Sequence, residues 1–157
     1  MREILFRAKR NDNYEWIVGC LINAYAVPNY YAFITTNILD KPKKVLRKTV
    51  GQYIGLIDKS GKCIFEGDIV RDISTYLVHL QYAERGVETK EEAEKYRESG
   101  AVAVVRYDSS GEVGSCGCCY EHFVGTGFIA TEVDLTQCEV IGNIHDNPEL
   151  LEVTNER

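Results

Sequence analysis

The chain has 157 residues, 45% of them hydrophobic and 27% charged, the size and apolar content of one folded domain with a real core. A formal charge of −6 argues against a dedicated nucleic-acid binder, and no run of eighteen apolar residues is present to cross a bilayer as a helix. Met1-Arg2-Glu3 leads into an alternating segment instead of the apolar core of an export signal, so a cytoplasmic location is expected, with Cys20, Cys63, Cys116, Cys118, Cys119 and Cys138 as reduced thiols.

Runs rich in β-branched and aromatic residues predict strands over Ile4 to Ala8, Tyr14 to Ala24 and Tyr30 to Thr36. A basic stretch follows, Lys41-Pro42-Lys43-Lys44-Val45-Leu46-Arg47-Lys48, read as a loop between strands. Lys41, Lys43, Lys44, Arg47 and Lys48 come soon after Tyr30, Tyr31 and Phe33, and cations beside aromatics are what single-strand and RNA platforms use. The plainer reading is a solvated loop.

Strands are predicted next over Gln52 to Leu56, Cys63 to Phe65 and Asp68 to Ile73. Between the first two, Asp58 can bond its own backbone two residues on and Gly61 can take positive φ, which gives a tight reversal. Glu66-Gly67-Asp68 supplies a second corner; its two carboxylates could be read as an acidic metal or catalytic site, but beside a glycine turn they more commonly cap backbone amides. Ile54, Leu56, Ile64, Phe65 and Ile69 are the expected core of this meander. Thr89-Lys90-Glu91-Glu92 has capping-box spacing and Gly100 a stop, so one short charged helix is expected as an insertion over about 86–100. Strands over Ala101 to Tyr107 and Gln137 to Asn143 follow, and Asn147-Pro148 announces a final short helical turn with Asn147 as its N-cap.

Three segments carry a family resemblance. They are Met1-Arg2-Glu3-Ile4-Leu5-Phe6-Arg7-Ala8, then Gln52 through Lys62 continuing over Ile64 to Val70, and finally Val140-Ile141-Gly142-Asn143-Ile144-His145-Asp146-Asn147-Pro148-Glu149-Leu150-Leu151. Together they resemble the YopX family of small phage and prophage proteins. The resemblance implies a mainly β fold with a small SH3-type barrel core, a location in phage-derived DNA, and no activity to carry over. The motif residues so marked are Gly55, Asp58, Gly61, Glu66, Gly67, Asp68, Asn143, Asn147 and Pro148. The expected organisation is one domain over 1–157, with N-terminal strands over 1–50 packing on a barrel core over 51–151.

No catalytic constellation is present: there is no nucleophile elbow, no phosphate loop, and His79 and His145 lack metal-ligand spacing. Cys116, Cys118, Cys119 and His122 are the one concentrated set of donors, and Zn²⁺ takes such ligands; their spacing departs from paired C-x2-C, so reduced cysteines in a small-residue loop and no cofactor are expected. Residues 1–71 hold twelve Lys and Arg against seven Asp and Glu, net +5, whereas residues 72–157 hold six against seventeen, net −11. This division and ten tyrosines point first to a non-enzymatic module that binds a protein partner or copies of itself as a homo-oligomer. A nucleic-acid-binding accessory protein using the basic stretch is second, and a zinc protein third.

Overall fold

The computed structural model describes residues 4–22, 31–37, 39–107, 128–129 and 133–151. The chain divides into two compact units, Met1–Gly55 and Leu56–Arg157.

The first unit is an antiparallel sheet of β1 (Phe6–Lys9), β2 (Trp16–Ile22), β3 (Tyr31–Thr35), β4 (Lys43–Leu46) and the start of β5 (Gly51–Ile57), in the order β4-β3-β2-β1-β5. Directly opposed residues share a face, so the registers Phe6 to Gly19, Ala8 to Ile17, Leu21 to Ile34 and Ala32 to Val45 put one set of side chains inward. Ala8, Ala32, Ile34 and Val45 are buried there, with Phe6, Ile17, Leu21 and Val50 packed against them. Each large aliphatic side chain buried this way contributes roughly 1.5–3 kcal/mol.

The ends of β1 and β4 also meet. An Arg10–Val45 bridge and an Asn11 N–H donating to the Lys44 carbonyl at 3.0 Å join them. One residue back, the buried Thr49 hydroxyl accepts from the Lys9 N–H at 2.9 Å and donates to the Leu46 carbonyl at 2.7 Å. Thr49 ends a single 3-10 turn, Arg47–Thr49, that leads the chain into β5. This hydroxyl thus bridges the backbones of β1 and β4 where they meet.

β5 continues past Gly55, and its end opens the second unit, where it pairs with β6 (Cys63–Phe65) through the reversal expected at Asp58 to Gly61. Asp58 Oδ1 accepts from the Ser60 amide and hydroxyl and from the Lys62 amide, at 2.7–2.9 Å. Gly61 sits at φ 88°, where a β-carbon is disfavoured.

The meander then departs from expectation. β6 does not pair with β7 (Asp68–Asp72); instead β7 is the centre of a separate sheet, β11-β7-β8, between β8 (Val102–Val104) and β11 (Cys138–Asn143). The cause lies at the corner. Gly67, at φ 82°, donates to Val105 O at 2.9 Å and accepts from Ile144 N at 3.0 Å, which commits the strand leaving it to other partners. The two-strand pair β9 (Arg106–Tyr107) and β10 (Phe128–Ile129) completes the strands, and among the described residues no sheet closes as a continuous barrel. The class is mainly β, as expected, and Ile54, Ile64, Phe65 and Ile69 are buried as expected.

Two helices, rather than one, lie between β7 and β8. The second, α2 (Lys90–Glu98), has the expected capping box, with the Thr89 hydroxyl accepting from the Glu92 amide and the Glu92 carboxylate accepting from the Thr89 amide. It is anchored by the fully buried Ala93 and by Arg97, which donates to Glu139 on β11 at 2.7 and 3.1 Å. The first, α1 (Ser74–Glu84), fills a segment for which no element was expected. Its STYLVHLQYAE sequence spreads apolar residues around the axis instead of along a stripe, and none of its side chains is fully buried. The closing 3-10 turn, Pro148–Leu151, forms as expected. Asn147 does not cap it: its Oδ1 accepts from the Asn143 amide instead, at 3.4 Å.

Candidate nucleic-acid interface

The stretch expected as a basic loop is mostly ordered backbone: Lys43 and Lys44 begin strand β4, and Arg47 and Lys48 begin the 3-10 turn after it. Pairing with β3 explains the change: Val45 opposes Ala32 on the core side and alternates with Lys44, and its burial brings the segment into the ladder. Lys41, Lys43, Lys44, Arg47 and Lys48 are all exposed; of the two in β4, Lys44 opposes Phe33 on the outer side and Lys43 opposes Ile34 on the core side.

The face of this sheet opposite its core carries the matching aromatics. Lys9 pairs with Trp16, Arg7 with Val18, Tyr31 with Leu46 and Phe33 with Lys44, so these side chains share the outer face. Across the Thr49 relay Lys9 stands beside Leu46, which makes Trp16, Lys9, Leu46 and Tyr31 one row running over four strands. At the strand spacing of about 4.8 Å, Trp16 and Tyr31 are on the order of 15 Å apart along that row. Val18, Cys20 and Ile22 continue the face along β2 and are exposed. Trp16, Tyr31 and Phe33 are partly exposed.

Cations already lie on these rings. Lys44 Nζ is 3.5 Å from the Tyr31 centroid, the Arg7 guanidinium is 4.8 Å from the Trp16 ring and Lys9 Nζ is 5.5 Å from it. An exposed cation–π contact contributes about 0.5–1 kcal/mol, less than the roughly 1–3 kcal/mol of a nucleobase stacked on an aromatic side chain. A base can therefore displace the cation from the ring, leaving it to pair with the adjoining phosphate. Arg10 does not join this set, because Asp12 and Glu15 engage its guanidinium; the hydrogen bond to Asp12 is the main reason it is held even more firmly protonated than usual.

Sequence reading found the lysines of β4 and the aromatics of β3 but missed Arg7, Lys9 and Trp16. The signal was alternation: Phe6 and Ala8 are core residues, so Arg7 and Lys9 must face the other way.

The family model described as YopX protein matches residues 5–152. The chain belongs to the YopX family. No curated protein matches it.

In this YopX chain the motif residues make corners and seams. Asp58, Gly61 and Gly67 build the turns described above, and Gly55, in β5, has φ 88°. Asp58 also reaches across to β11, where its Oδ2 accepts from the Val140 amide at 2.9 Å. Asp68 is 1% exposed and its Oδ2 accepts from the Phe65 amide at 2.8 Å, while Glu66 is partly exposed in the turn itself. Asn143 Oδ1 accepts from the amides of His145 and Asp146, and Pro148 opens the last 3-10 turn. The YopX motif thus holds backbone together.

Cys116, Cys118, Cys119 and His122 lie outside the described residues. Among the described residues no group of three or more His, Cys, Asp or Glu is arranged to hold a metal, Cys20, Cys63 and Cys138 carry free thiols, and no helix is long and apolar enough to cross a membrane.

Proposed function

We propose that this YopX chain is a non-enzymatic binding module of phage origin, acting in the cytoplasm, whose first unit takes nucleic acid on the outer face of its sheet. The observation that supports this reading most is the row of partly exposed aromatics interleaved with Lys9 and Lys44 and flanked by four further exposed cations. The charge division supports it as well: residues 1–55 carry nine Lys and Arg against four Asp and Glu, net +5, so the basic share of an acidic protein coincides with one unit. The SH3-type core, expected over 51–151, we place instead in this unit, on the strand order β4-β3-β2-β1-β5, the 3-10 turn just before β5 and the β1–β4 seam.

The test is charge reversal. Lys9→Glu with Lys44→Glu, measured by anisotropy of a labelled oligonucleotide at low salt, is expected to weaken binding at least tenfold without lowering the melting temperature. Unchanged affinity would refute the proposal.

Self-association, head to tail between copies, is a second reading. It is favoured by the opposite net charges of the two units, since residues 56–157 carry nine basic against twenty acidic residues, net −11. A monomer by light scattering at high concentration and low salt would remove it.

A further inference from the structure

The outer face of the first unit distinguishes kinds of nucleic acid, not only charge. Phosphates alone would be served by exposed lysines, and a duplex offers phosphates with its bases stacked inside. This face adds rings. Trp16 carries both the Arg7 and the Lys9 cation, and Tyr31 carries Lys44, with the two stations linked by the row through Lys9 and Leu46. Each station pairs a π surface with a cation, the combination that holds an unpaired base and its phosphate together. The apolar outer positions of β2, Val18, Cys20 and Ile22, have no use for a phosphate but suit the flat, weakly hydrated faces of unstacked bases.

We infer that the ligand is single-stranded nucleic acid, with bases stacking on Trp16 and on Tyr31 and the backbone carried by Arg7, Lys9 and Lys44. This rests on the nucleic-acid reading above and narrows it to a strand whose bases are free. The chain contains a single tryptophan, so its intrinsic fluorescence reports on one of the two stations directly.

The experiment titrates the full chain with a thymidine oligonucleotide and with a duplex of the same length, following both Trp16 emission and anisotropy of the labelled nucleic acid. The single strand is expected to quench the emission and to bind at least tenfold more tightly than the duplex. Trp16→Ala and Tyr31→Ala should each weaken single-strand binding by roughly tenfold, leave the weak duplex binding unchanged and keep a cooperative thermal melt. Trp16→Phe should restore most of the affinity, which a merely structural role of the indole would not predict. Equal affinity for both nucleic acids with unquenched emission would overturn the inference while leaving the charge-based reading intact. Binding of neither at low salt would remove both, and a polyglutamate peptide that bound as tightly as the single strand would identify an acidic protein as the ligand instead.

Discussion

The carboxylate of Asp58 is 5% exposed and accepts four hydrogen bonds, three from its own turn and one from Val140 on β11. Burial is the largest single influence on its acidity and acts to raise its pKa. The Ser60 hydroxyl and the amides of Val140, Lys62 and Ser60 together outweigh it and hold the carboxyl below its ordinary value of 3.8. A depressed folded value means that ionised Asp58 contributes stability above the unfolded pKa, and that this contribution is lost as pH falls through the lower folded one. Asp58→Asn should therefore lower the stability measured by urea melts at pH 7 by about 1–3 kcal/mol. It should also flatten the decline of stability below pH 4; a variant whose melts matched the parent at both pH values would show the turn to be ornamental. Nearby, Cys138 shows the opposite balance. Burial, and then the fields of Asp58, Asp134 and Asp72, push its thiol up to about 12, which keeps it an unreactive core residue.

Strand β4 decides whether the five clustered cations form a disordered loop or a presented surface. Alternation along β4 sets the two faces apart. Val45 faces the core and is fully buried, while Lys44 sits across from Phe33 on the outer face. Val45→Thr, nearly isosteric, places a hydroxyl in that core and should cost about 1–3 kcal/mol in chemical denaturation. Lys44→Thr should leave the melt unchanged and weaken oligonucleotide binding. Equal effects of the two substitutions on stability would contradict the face assignment. The elements that the sequence made legible were those with local signals. The Asp58-to-Gly61 reversal, the Thr89 capping box and the Pro148 turn all formed where spacing placed them, as did β6. Two were hidden. β4 was masked by charge, because four lysines and arginines around a single Val–Leu pair read as solvated chain until a neighbouring strand is there to bury Val45. α1 was masked by composition, since its Tyr, Leu, Val and Thr residues suit a strand as well as a helix and no capping residue marks its start at Ile73. The candidate site was half legible for the same reason: Lys43 and Lys44 lie close to Tyr31 and Phe33 along the chain, whereas Trp16 joins them only through the seam at Thr49.

At the scale of the molecule, the charge division is clearer in the structure than in the sequence, because it falls along the boundary of the two units. The YopX motif residues hold the backbone of turns and strand junctions, and the binding chemistry argued here lies on side chains pointing away from the first unit's core. Binding and folding are thereby separable: outer-face substitutions should change affinity without changing stability, and motif substitutions the reverse. The central claim is that a basic, aromatic face takes a polyanion. Its most direct test is the affinity of the full chain for a labelled single-stranded oligonucleotide measured across a range of salt concentrations. The account predicts that log K falls linearly with log[salt], and that the slope becomes shallower by roughly 0.7 for each outer-face cation neutralised. An affinity that does not respond to salt, or a slope unmoved when Lys9 and Lys44 are neutralised, would contradict it.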